Sequence, residues 1–128
     1  IENSNIQSFN SQIISTKDLI LQEDYFMAAK QILYLEENNI ILEEFNDWDD
    51  FYYWSGFIYY NLGNYDLAYN NISAISNKEN SPEILFLESL ILRGCGETKQ
   101  SNVILNHIIK DFSNNDYANY AKDILIDE

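Results

Sequence analysis

Residues 49–80 read DDFYYWSGFIYYNLGNYDLAYNNISAISNKEN, and this stretch decides the fold. Two helices are written in it, separated by Leu62-Gly63-Asn64. Gly63 suits the left-handed position that closes a helix, and Asn64 suits the cap that opens the next. Asp47 can cap the first helix, with Asp49 and Asp50 near its positive end. Gly56, Gly63 and Ala68 are spaced by seven and then five residues. The same spacing returns at Ser89, Gly96 and Ser101, displaced by 33 residues, and upstream at Thr16, Glu23 and Ala28. Small residues recur there for a physical reason. Two antiparallel helices approach closely only where one presents little side chain to the other.

Working outward, apolar periodicity and cap signals predict helices at about 4–21, 24–38, 48–62, 65–77, 82–94, 98–112 and 116–126. Ser81-Pro82-Glu83 is a start signal: Ser as cap, Pro in the first turn, an acid beside it. The step from Ala28 to Ala68 is 40 residues, so the connection from Asn38 to Asp47 carries an insertion.

The set Tyr52, Gly56, Tyr59, Leu62-Gly63-Asn64-Tyr65-Asp66 and Ala68 closely resembles the tetratricopeptide (TPR) consensus, a helix–turn–helix of about 34 residues. Ser89 and Ser101 stand where that family prefers Gly or Ala, and Thr98 where it prefers Tyr. The resemblance implies an all-α, TPR-like right-handed solenoid. It would hold about three antiparallel helical hairpins (about 4–38, 48–77 and 82–112) and a C-terminal capping helix (about 116–126) in a single domain over 1–128. The run IIKDFSNNDYANYAKDIL (108–125) is similar to bacterial cell-envelope TPR proteins, although Ser113 replaces their usual Pro. Abundant Asn and Ile with scarce Ala suggest an AT-rich bacterial genome. The resemblance places the chain in the envelope or periplasm rather than the cytoplasm. A start at Ile1 without Met, basic region or apolar signal core reads as a fragment of a longer chain.

A chain of 128 residues, 46% hydrophobic, has the material for one continuous core. The net charge is −14, from 21 acidic residues against seven basic ones. Such a surface repels phosphate backbones and anionic headgroups, which argues against nucleic acid and favours a basic or apolar partner. No apolar run is long enough to span a bilayer, so direct membrane insertion is not expected.

Catalytic chemistry finds little material. His107 is the lone His and Cys95 the lone Cys, so neither a zinc site nor a disulfide framework can be assembled. A partly buried Cys95 beside two turn glycines is the expectation. The acidic runs Glu36-Glu37, Glu43-Glu44 and Asp47/Asp49/Asp50 lack the order of a calcium loop and read as solvated helix ends. Gly94-Cys95-Gly96 lacks the Lys-Ser/Thr of a phosphate loop. No cofactor, metal site or enzymatic activity is expected.

The aromatic residues carry the functional reading. Phe45, Trp48, Phe51, Tyr52, Tyr53, Trp54, Phe57, Tyr59 and Tyr60 fall within sixteen residues. Tyr52, Gly56 and Tyr59 share one helical face, expected to pack on Tyr65, Ala68 and Ile72. Tyr53, Phe57 and Tyr60 share another. The resemblance places that face on the concave surface, with Ile13, Lys17, Phe86, Leu90 and Arg93. Exposed apolar patches of this kind mark interaction sites. The expected partner-binding residues are Tyr53, Phe57, Tyr60, Phe86 and Leu90, with Arg93 orienting the ligand. Packing of those rings against residues 39–47 is the competing expectation. The expected function is a protein–protein interaction module holding a protein or peptide. The alternative is a structural envelope subunit or a self-associating, homo-oligomeric scaffold.

Overall fold

The computed structural model describes residues 15–127. Among these, every regular element is an α-helix: α1 (Thr16–Leu21), α2 (Tyr25–Glu37), α3 (Trp48–Asn61), α4 (Tyr65–Ser73), α5 (Pro82–Gly94), α6 (Thr98–Asp111) and α7 (Asp116–Ile126). Caps open five of them. Asp24 accepts from Met27 N, Asp47 from Asp50 N, Asn64 from Leu67 N, Ser81 from Ile84 N and Asn115 from Tyr117 N. Each satisfies an amide that the helix cannot.

Two expected boundaries move. The helix expected over 4–21 does not run through Ser15, whose backbone is non-helical at φ −49° and ψ 135°; residues 4–14 lie outside the described residues. At Ser15 the chain meets Glu44, which accepts from Ser15 Oγ, Thr16 N at 3.0 Å and Lys17 N at 3.4 Å. The 38–47 segment thus caps α1, and Glu44 is no solvated helix end. The helix expected over 65–77 stops at Ser73. Ile75 turns into the core, and Ser76 donates from N and Oγ to Asp49 at the start of α3, at 3.3 and 2.8 Å. Those contacts replace a further helical turn.

Four helices close with the same motif. After α3, Gly63 N bonds Tyr60 O and Asn64 N bonds Tyr59 O, with Gly63 at φ 79°. The turn after α5 repeats it at Gly96, φ 83°, through Gly96 N to Arg93 O and Glu97 N to Leu92 O. These are Schellman closures, which need a left-handed residue at that point. Glu23 (φ 59°) and Asn39 (φ 53°) fill the same position after α1 and α2.

Each helix packs on the next in sequence, and α3–α5 and α5–α7 also touch. α3, α5 and α7 therefore lie side by side. Gly56 makes the α3–α4 contact close: a Cβ there would stand 2.6 Å from Ile72 Cδ1. One core cluster runs from Leu19 to Ile91 around Phe51 and Ile58, and a second joins Leu85, Ile108 and Ala118. Full burial of Phe51 alone is worth about 2–3 kcal/mol.

Candidate functional site

The aromatic run of α3 divides between two sides of the helix. Phe51 and Tyr59 are buried, and Trp48 and Tyr52 pack at 5.2 and 5.9 Å from the Phe51 ring. Phe45, from the 38–47 segment, stacks edge-on to Phe51 at 5.4 Å. Tyr53, Trp54, Phe57 and Tyr60 remain half-buried. Trp54 lies between Tyr53 (5.4 Å) and Phe57 (5.7 Å); Phe57 also meets Tyr25 of α2 at 6.2 Å. Tyr60 meets Tyr65 at 5.8 Å.

Phe86 and Leu90 of α5 are also half-buried. Phe86 turns to α7, where Tyr117 lies at 5.4 Å and Tyr120 at 6.0 Å. Between the two groups stands Glu83, whose carboxylate acts on the Tyr53 hydroxyl. Burial, and then the Glu83 carboxylate, push the Tyr53 hydroxyl well above its ordinary pKa. Tyr117 is pushed up by partial burial and by the same carboxylate. Glu83 thus faces both rings.

Arg93 is half-buried and reaches across to α6, donating from its guanidinium to Asn102 Oδ1 at 2.8 Å and Ser101 Oγ at 3.2 Å. Two acceptors one helix away thus tie Arg93 to α6. Ile13 lies outside the described residues. Lys17 does join the aromatic group, with Nζ 5.7 Å from the Trp54 ring centroid. Trp54, Tyr117 and Tyr120 were not singled out from the sequence. The i, i+3 pairs Trp54/Phe57 and Tyr117/Tyr120 were the available signal.

Where the first turns of α3 and α5 face each other across the 74–81 loop, a cleft of about 420 Å³ opens. Asp50, Tyr53, Trp54, Glu83 and Ile84 are among its walls, with Asp47 and Asp49 at the same end and no Lys or Arg in the lining. The nearby Lys78 is spent elsewhere, in a 2.5 Å ion pair with the buried Glu88 of α5. The pair ties the loop to the helix, since a buried carboxylate needs its counter-charge.

His107 and Cys95 have structural surroundings. His107 Nδ1 lies 2.8 Å from Asp111, and its ring stands edge-on to Phe112. Cys95 is exposed, not partly buried as the glycines on either side suggested, because the Gly96 turn carries it outward. Slight desolvation and the carboxylates of Asp66 and Glu97 raise its thiol pKa, which leaves less of the reactive thiolate at neutral pH. Among the described residues no group of three or more His, Cys, Asp or Glu is placed to hold a metal ion. Among them, too, no helix is long and apolar enough to cross a membrane. Comparison with protein-family models, with curated proteins and with solved structures finds no match to this chain.

Proposed function

We propose that this chain is a TPR-like helical solenoid whose aromatic face, carried by alternate helices, holds a protein or peptide partner. The observation that supports the reading is the half-open row Tyr53, Trp54, Phe57, Phe86 and Tyr117. Phe is among the side chains most often fully buried, and Trp is highly buried on average. Here the 38–47 insertion spends Phe45 on Phe51 and Glu44 on the start of α1. Partly buried rings at fixed positions are good anchors, because they lose little conformational entropy on binding. The role is one of binding, not catalysis, and the acid-rich surface disfavours nucleic acid and anionic lipid as partners. A bacterial envelope complex is the setting that the sequence resemblance suggests. A self-associating scaffold is the second reading, favoured by Leu21, Phe26 and Leu33, which leave a second apolar patch exposed on α1 and α2.

Selection of displayed random peptides against the intact chain tests the proposal. Selected peptides should lose binding by on the order of 2 kcal/mol with Phe57→Ala or Tyr60→Ala, while the melting temperature falls only modestly, as suits half-buried rings. A sharp fall in melting temperature for both variants would mean that these rings are core, and the reading fails.

A further inference from the structure

We infer that the cleft between the first turns of α3 and α5 takes an Arg or Lys side chain of an extended partner segment, laid on Trp54 and flanked by Asp50 and Glu83. The inference rests on the proposed function and names the chemistry of the partner.

Three observations converge. The first is the ring. Trp54 is the best cation-binding side chain, and the chain already sets a cation on it: Lys17 Nζ lies 5.7 Å from its centroid. The second is the charge of the lining. Asp50 and Glu83 line the cleft together with Tyr53 and Trp54, with no Lys or Arg among the lining residues. Asp50 Oδ2 accepts one local bond, from Asn46 N at 3.0 Å. A carboxylate has more acceptor sites than one such bond uses, so both retain capacity for a guanidinium or ammonium. The third is size. About 420 Å³ holds a long side chain and the backbone on either side of it.

The same charges decide against the other occupants. A segment bearing Asp or Glu would set carboxylate against carboxylate, which repels at close range in an interface. A second copy would bring another chain of net charge −14 to the acid-lined face. A basic segment is drawn to the cleft before contact, then stacks on the ring.

Two labelled probes test this: a short peptide of alternating arginine and leucine, and its counterpart with glutamate for arginine. The intact chain carries Trp48→Phe, so that Trp54 is the sole fluorescence reporter. The arginine peptide should quench Trp54 and bind more weakly as salt rises; the glutamate peptide should not bind. Glu83→Gln with Asp50→Asn, which keeps shape and helix start, should weaken the arginine peptide about tenfold. Lys17→Met, which removes the cation already 5.7 Å from the Trp54 ring centroid, should tighten it; unchanged binding would place the partner's cation off that ring and overturn the inference. Equal binding of both peptides, or a double amide variant that binds normally, overturns the inference while the groove reading stands. So does a dimer in sedimentation that Trp54→Leu abolishes. Failure of displayed peptides of any composition to bind overturns both.

Discussion

The first hairpin (α1–α2) and the middle one (α3–α4) close with the same turn but are held shut by different means. In the middle hairpin the devices are local. Gly63 takes the left-handed position without a Cβ, and Gly56 lets α3 approach Ile72 closely. In the first hairpin the same positions carry Glu23 and Thr16. Glu23 takes the left-handed conformation despite its side chain, and the turn bonds match: Asp24 N to Leu19 O is 2.9 Å, as is Asn64 N to Tyr59 O. Thr16, fully buried, accepts from Gln31 Nε2 at 2.9 Å. The start of α1 is capped by Glu44, which is remote in sequence. One geometry is thus specified in one case by absent side chains and in the other by polar groups brought from elsewhere.

Overpacking the middle hairpin should produce the largest effect. Ala68 is fully buried, and its carbonyl lies against Gly56. Ala68→Leu forces α3 and α4 apart and should cost about 2–3 kcal/mol in denaturant unfolding. An unchanged midpoint would remove Ala68 from the interface. The first hairpin should break at a distance instead. Glu44→Ala leaves the amides of Thr16 and Lys17 without their acceptor and should cost about 1–2 kcal/mol. Hydrogen exchange should quicken at those amides and stay unchanged in α4. Protection retained at both would show that another group caps α1.

This difference also sets what the sequence could tell. Signals that act within a few residues were legible: the caps at Asp47, Asn64 and Ser81, and glycine closing α3 and α5. Signals that act between distant segments were not. The early end of α4 depends on Asp49 receiving Ser76, and the start of α1 on Glu44. The candidate face divides along the same line. Helical spacing put Tyr53, Phe57 and Tyr60 on one side of α3, and the 33-residue displacement pointed to Phe86 and Leu90; all five are half-buried in the structure. It could not show that Phe86 would turn to Tyr117 and Tyr120, nor that Arg93 would find Ser101 and Asn102. Those outcomes depend on how α5 meets α7 and α6, and no single helix encodes that.

The smallest effect is the sharpest test of the comparison, because the two turns can be exchanged. A left-handed backbone costs an L-residue about 1–2 kcal/mol, because Cβ crowds the following carbonyl. Glycine avoids this but loses about 0.5–1 kcal/mol through the greater freedom of its unfolded chain. Glu23→Gly should therefore stabilise the protein by about 0.5–1 kcal/mol. Gly63→Ala should destabilise it by a similar amount through backbone strain alone, since a Cβ at Gly63 meets nothing within 4 Å. Removing a carboxylate from so acidic a chain would itself be favourable, so Glu23→Gln serves as the control: it removes the charge and keeps the strain. Chemical denaturation of the three variants beside the parent resolves the two causes. A Glu23→Gly gain matched by Glu23→Gln would assign the effect to charge, and the left-handed Glu23 would then carry no measurable strain.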